Sequence, residues 1–302
     1  MAAAKAEGYP THGIDIIIGF APGGTTDLVS RIAATYLSKK WGVPINIINK
    51  PGGNSVPATL DVYNAAPDGY TLLGDAIGSA SMMAVDVPNL PFKVMDRTFV
   101  NIISVNPQVI FVPKNSPINN LADLVAEAKK DPSTFTWVGA GVASIPLRQL
   151  LLATGVDIKQ TKNISSPGAV SAAVLAASGD VKVGLSAVGP MLSPISAGLI
   201  KPIAVASKER VPSLPDVPTA IEQGFPTVMQ DSWIALTGPP GLPDEVIAKW
   251  NEGIKEMDSD PEVLDKLKNL ASVPHFTNSA DFRAQVASEI DNFSVLWKAA
   301  GK

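Results

Sequence analysis

Two hydrophobic rhythms alternate along this chain. Short β-branched runs read as buried strands, and stretches with apolar residues every three or four positions read as helices. The first pair is "IDIIIGF" (14–20), a strand, followed by a helix whose apolar face is Leu28, Val29, Ile32, Ala33, Tyr36 and Leu37. "INIIN" (45–49) predicts the next strand, then a glycine-rich turn, a helix through Ala66 and a strand in "YTLLGDA" (70–76). "NIISV" (101–105) and "QVIFVP" (108–113) predict two further strands. "LADLVAEAKK" (121–130) predicts a helix that Asp131-Pro132 stops, "FTWVGA" (135–140) a strand, and Pro146 to Thr154 a helix. "DVKVGLSA" (180–187) and "IKPIAVAS" (200–207) continue the alternation. This βαβ succession predicts an α/β fold, a mostly parallel sheet with helices on both faces. From Pro243 onward only amphipathic helices follow, the last opened by Ser279 as its N-cap, and they are expected to pack on an existing lobe. "VPSLPDVP" (211–218) is a Pro-rich connector.

Composition narrows the function classes. The length of 302 residues suits two domains or lobes, and with 46% hydrophobic and 17% charged residues a large core is easily buried. A net charge of −4, with no basic block, argues against nucleic acid and anionic membrane surfaces as partners. Mean hydropathy is +0.19, yet no apolar run approaches the roughly 20 residues of a membrane-spanning helix. No direct membrane insertion is expected. The absence of cysteine excludes thiolate metal sites, a Cys nucleophile and disulfides. His12 and His275 lie near opposite ends, which argues against a histidine metal site. Met1 to Glu7 do not read as a signal peptide. That fits a cytoplasmic protein, and equally a mature exported form with a new initiating Met.

Three turns share one grammar. In open α/β sheets ligands bind just beyond the carboxyl ends of the strands. After Phe20, the run Ala21-Pro22-Gly23-Gly24 lets backbone N–H groups approach a ligand closely, and Thr25, Thr26 or Asp27 then begins a helix whose first amides are unpaired. A carboxylate there gains charge-assisted hydrogen bonds and a helix-dipole contribution of roughly 0.3–1 kcal/mol. The plainer reading is that Thr26 or Asp27 only caps the helix. The second turn lies in "WVGAGVASIPLRQLL" (137–151), where Gly139, Gly141 and Ser144 come near a dinucleotide fingerprint, but Asp157 precedes its strand instead of ending it. Ser144 is alternatively the helix cap. Arg148 is placed to clamp a second carboxylate, or is simply solvent-exposed. The third turn sets Ser165, Ser166 and Gly168 before another helix in "NISSPGAVSAAV" (163–174). Together they describe a cleft of hydroxyls and amides suited to a small carboxylate.

Other chemistries find no support. A P-loop needs Gly-Lys-Ser/Thr where this chain has Gly24-Thr25-Thr26. There is no G-x-S-x-G elbow, and neither histidine has a Ser and Asp set around it. The expected chemistry is binding, not catalysis.

The segment "YPTHGIDIIIGFAPGGTTDLVSRIAATYLSKKWGVPINIINKPGGN" (9–54) resembles the opening of the tripartite tricarboxylate transporter solute receptors, the Bug or TctC family. "AAPDGYTLL" (65–73), "LPFKVMDRTF" (90–99), "ISAGLIKPIAV" (195–205), "ERVPSLPDVPTAIEQGFP" (209–226) and "DSWIALTGPPGLPDEVIAKWNE" (231–252) extend the resemblance along the whole chain. It implies a periplasmic, two-lobed Venus-flytrap protein of the type II periplasmic-binding-protein fold. It further implies a monomer that needs no cofactor and delivers a carboxylate solute to a two-component integral-membrane permease. One ligand carboxylate would sit between Phe20–Thr26 and the loop of Gly141, Val142, Ala143 and Ser144. Three departures bear on the distal part of the ligand: Thr25 replaces the usual third glycine, Ser186 a frequent Asp, and Ser165-Ser166-Pro-Gly a different loop. Ser79 completes the candidate ligand-binding residues. Because of the departures, substrate identity does not transfer; Arg148, which fits a second acidic group, favours a dicarboxylate, aliphatic or aromatic, over an amino acid or amide.

The expected division is 1–105 plus 228–302 for one lobe and 106–227 for the other, with hinge crossovers near Ser104–Gln108 and Pro226–Trp233. Trp233 is either core packing or one wall of the pocket. Two alternatives remain open: a dinucleotide-dependent α/β enzyme resting on Gly139 and Gly141, and a receptor that presents its closed form to a signalling partner.

Overall fold

The computed structural model describes residues 8–139, 141–166 and 169–301. In chain order it begins β1 (Ile14–Ile18), α1 (Thr25–Trp41), β2 (Ile45–Asn49), α2 (Val56–Tyr63), β3 (Thr71–Ala76) and α3 (Ser81–Asp86). Then come β4 (Thr98–Pro113), α4 (Leu121–Lys130), β5 (Thr136–Val138), α5 (Ile145–Ala153), β6 (Lys162–Asn163) and α6 (Ala169–Ala177). β7 (Val183–Ala187), α7 (Val188–Ser196), β8 (Ile200–Val205) and β9 (Asp231–Gly238) follow. The last elements are α8 (Asp244–Glu256), α9 (Pro261–Asn269), β10 (Val273–Pro274) and α10 (Ser279–Ala299). This is a mixed α/β fold, as the alternating rhythms predict.

The chain forms two compact units. The first contains Met1–Val105 and Trp233–Phe293, the second Asn106–Ser232 and Ser294–Lys302. The second return thus falls between Ser232 and Trp233, and the last turns of α10 belong with the second unit.

In the first unit β1 lies between β2 and β3, parallel to both, in register Ile16↔Ile47 and Ile16↔Leu72. β9 then runs antiparallel to β3, with Gly74 opposite Leu236. The β-branched run of β1 fills the core: Ile14, Ile16 and Ile18 pack with Val29, Ala33 and Leu37 of α1 and with Trp250 and Ile254 of α8. α1 ends where Gly42 takes a left-handed φ of +70° and returns its N–H to the Ser38 carbonyl. Trp233 is core: it is fully buried, stands edge-on to Phe282 at 4.9 Å, and donates its indole N–H to the Glu289 carboxylate.

In the second unit β5 is parallel to β6 and β7, while the distal half of β4 runs antiparallel to β7 and β8. Its core joins Ile110 and Val112 of β4 to Leu121 and Leu124 of α4, Trp137, Leu147, Leu150 and Val183. Gly184 stands opposite Phe111, and a Cβ there would lie 2.3 Å from the buried phenyl ring. A Gly184→Ala protein is therefore expected to lose about 1–3 kcal/mol through overpacking, read as an earlier urea midpoint.

Two local expectations are corrected. The strands at 101–105 and 108–113 are one strand, β4, which changes partners across Asn106-Pro107: Val105 pairs with β10, whereas Gln108 pairs with β7. The α10 cap is Asn278, whose side-chain oxygen accepts the Asp281 N–H, while the Ser279 hydroxyl turns to the Val100 carbonyl.

Candidate functional site

The first glycine turn is a held loop. Gly23 needs its freedom, with φ at +81°, and Ala21 to Gly24 are exposed. Asp27, third residue of α1, reaches back to accept the Gly23 N–H at 2.9 Å. Its buried carboxylate also accepts from Arg31 Nε and Asn49 Nδ2, both at 3.0 Å, and the Asn49 amide donates on to the Phe20 carbonyl. Burial alone would raise the Asp27 pKa, but these hydrogen bonds outweigh it and hold it below the usual carboxylate range. The Gly24 N–H is used as well, by the Ala21 carbonyl at 3.3 Å. What remains are the amides of Thr25, Thr26 and Asp27, which have no hydrogen-bond partner among the described residues. The helix dipole adds to their pull on an anion.

The neighbouring turn after β2 supports this loop. Gly53, Asn54 and Ser55 all have left-handed φ, at +54°, +52° and +64°. That places the buried Ser55 hydroxyl on the Gly19 carbonyl at 2.9 Å. A Cβ on Gly19 would meet Ser55 at 2.5 Å, so Gly19 is needed for close approach.

In the second unit the parallel strands deliver their turns to one edge. Residues Gly139 to Ser144 follow β5, Ile164 to Ser166 follow β6, and Ser186 and Ala187 end β7. Asn163 ties the first to the second through its amide on the Gly139 carbonyl at 3.3 Å. Gly141 is exposed with φ at +53°, and Gly141 to Ser144 form a tight turn leading into α5. Ser165 is exposed and Ser186 buried opposite Val109. Ala140, Pro167 and Gly168, and the leader reading of Met1 to Glu7, lie outside the described residues.

Three side-chain candidates are committed to their own unit. Ser144 donates its hydroxyl to the Gly141 carbonyl at 2.7 Å and accepts from Arg148 Nε at 3.0 Å. The Arg148 guanidinium lies over the rings of Trp297 and Trp137, at 5.0 and 5.9 Å from their centroids. Arg148, Leu152, Val156, Asp157 and Leu296 also line a cavity of about 240 Å³ in this unit. Ser79 is buried, with its hydroxyl donated to the Asp75 carboxylate. Asp157 caps a short turn through the Lys159 amide, a structural use of the residue weighed for ribose binding.

Reading the residues one by one missed Asp27 as the lock of the first turn, Asn49 and Asn163 as ties, and the buried Gln108 and half-buried Asp231 near the edge of the second unit. An acid at the third position of a helix was the available signal for Asp27. Among the described residues no group of three or more His, Asp or Glu side chains could hold a metal, and no helix is long and apolar enough to cross a membrane.

Comparison with known proteins gives a consistent result. The family model described as "Tripartite tricarboxylate transporter family receptor" matches residues 29–301. Protein BugT of Bordetella pertussis is 28% identical over 307 residues, across 99% of this chain and 93% of that protein. MatC of Rhodopseudomonas palustris, solved with bound malate, is 25% identical with a TM-score of 0.75, covering 95% of this chain and 99% of its own. A second R. palustris protein, solved with adipate, is 25% identical with a TM-score of 0.80, covering 97% and 98%.

Proposed function

Because the chain belongs to the tripartite tricarboxylate transporter receptor family, whose members are periplasmic solute-binding proteins, we propose that it captures a small carboxylate for uptake. The favoured solute is a dicarboxylate, and the favoured recipient a two-component membrane permease of the tripartite type. The observation that carries this reading is the first turn: three unpaired amides at the start of α1, on a loop that Asp27 and Asn49 hold in place. One carboxylate of the solute accepts from these amides and a second group faces the turn at Gly141–Ser144 of the other unit. The malate and adipate of the two R. palustris structures are both dicarboxylates, which supports the class. The two units act as lobes that close over the solute and exclude water, strengthening the amide–carboxylate bonds.

The test is a thermal-shift panel on protein refolded to remove any bound solute. Mono-, di- and tricarboxylates are compared with nicotinamide dinucleotides. A ligand at 100 times its dissociation constant adds about 2.7 kcal/mol to stability, a rise of several degrees. Stabilisation by dinucleotides alone would overturn the reading.

Arg148 gives a second, sharper result. As a direct clamp, its replacement by Ala weakens dicarboxylates at least tenfold and spares monocarboxylates. As a support for the Ser144 turn, the role that its hydrogen bond to the Ser144 hydroxyl indicates, the replacement weakens both classes alike. Isothermal titration of the Arg148→Ala protein with succinate and butyrate separates the two, and unchanged affinity for both would remove Arg148 from the site.

A further inference from the structure

Asp231 opens β9, two residues before the chain returns to the first unit. The residue is half-buried, but its Oδ1 is enclosed and has no hydrogen-bond partner among the described residues, and no cation pairs with it there. The other enclosed carboxylates among the described residues are served. Asp27 accepts from Gly23, Arg31 and Asn49, and Asp75 from Arg97, Ser79, Thr237 and the Ala76 amide. Glu289 accepts from Ser81, Gln285 and Trp233. Burial without compensation pushes the Asp231 pKa up to about 6, so at neutral pH it is chiefly a desolvated anion. Among the described residues a few buried side-chain donors and hydroxyls also lack partners, but Oδ1 of Asp231 is the one carboxylate oxygen among them, and an unserved buried anionic acceptor marks a missing donor.

The position of Asp231 says where that donor comes from. The Gln230 N–H donates to the Ala206 carbonyl at 2.7 Å, and the Ala206 N–H to the Gln108 carbonyl at 2.8 Å. Gln108 in turn stands opposite Ala187, the last residue of β7. Asp231 therefore lies level with the edge of the second unit from which the turns after β5, β6 and β7 emerge. The amides around it point elsewhere: Gln108 Nε2 to the Asn106 carbonyl and the Ser232 hydroxyl, Gln230 Nε2 to the main-chain carbonyl of Asp231 itself.

We propose that Asp231 is a specificity-determining residue whose unpaired oxygen accepts a hydrogen bond from a hydroxyl or ammonium group of the solute. The preferred solute is then a hydroxy- or amino-substituted carboxylate rather than a plain one. This rests on the solute-binding reading above and adds to it the chemistry of the substituent.

The experiment is isothermal titration of the refolded full chain with two matched series. One is succinate, malate and aspartate; the other is glutarate, 2-hydroxyglutarate and glutamate. In the wild-type protein the substituted member of one series is expected to bind at least tenfold more tightly than its plain diacid. In Asp231→Ala that ratio falls to within threefold. Asp231→Asn, which keeps the shape, separates the sources: a hydroxyl preference survives in part because an amide oxygen still accepts, whereas an ammonium preference is lost with the charge. A plain diacid that binds most tightly to wild type, or a ratio unchanged in both variants, overturns the role of Asp231 and leaves the solute-binding reading intact. Failure of wild type to bind any member, alongside binding of a dinucleotide, overturns both.

Discussion

Replacing Arg97 with Met is expected to destabilise the protein by about 3–5 kcal/mol, the cost of stranding a buried charge. Arg97 and Asp75 are both almost fully enclosed and paired at 2.8 Å. Asp75 stands in β3, with Thr237 of β9 donating to the same carboxylate oxygen at 2.9 Å. The Arg97 Nε donates to the Val94 carbonyl, while Nη2 has no partner among the described residues. Removing the cation leaves the carboxylate with only neutral donors in a place where water cannot replace the lost charge. The measurement is a urea midpoint, compared with Arg97→Lys, which restores the charge but not the fork geometry and should fall between the two. A midpoint for the Met variant within experimental error of wild type would show that water reaches the pair.

The second large effect concerns the first turn. Asp27→Ala removes the charge-assisted hydrogen bonds from Gly23, Arg31 and Asn49 and frees the Gly23 amide, for a loss of about 2–3 kcal/mol. Because those bonds also set the loop that presents the Thr25–Asp27 amides, solute affinity should fall at least tenfold, beyond what the melting loss explains. Asp27→Asn keeps the shape and one acceptor, and should lose less of both. The pH dependence has a definite sign. The folded pKa of Asp27 lies below its ordinary value of 3.8, so its contribution is fully present above that value. It disappears as pH falls through the lower, folded pKa. The stability gap between wild type and Asp27→Asn should accordingly be constant from pH 5 to 8 and narrow below about pH 4. A gap that widens in acid would mean that the carboxylate is not held as an anion.

Much of the fold was legible because the two hydrophobic periods are clean. β2 and α4 fall where "INIIN" and "LADLVAEAKK" place them. What could not be read was strand direction: β4 and β9 run antiparallel to their neighbours, and nothing local to "QVIFVP" or "DSWIALTG" records which way the chain returns. Asn106-Pro107 looks like a break because proline lacks a ladder donor, but the strand tolerates it where the partners change. The site divides similarly. Turns rich in glycine announce themselves, whereas the use of each amide depends on distant groups such as Asn49. Ser144 and Arg148 are four apart and their pairing is local. The two tryptophans that flank the Arg148 guanidinium come from positions 137 and 297, which no local pattern links. Asp231 carries no sequence signal at all, since its meaning lies in the partners it lacks.

The interleaving of the two units has a consequence for biosynthesis. The sheet of the first unit needs β9, made only after residue 230, and its helical layer needs α8 to α10. The second unit, although bounded by residues 106 and 232, is completed only when Trp297 reaches Arg148 and Leu296 packs near Leu152. Neither unit is complete until these residues have been made, so the order in which an N-terminal domain folds before the next is synthesised is unavailable to this pair of units. Until these residues emerge the nascent chain stays incompletely folded, the condition in which a polypeptide can still be threaded through a translocation channel.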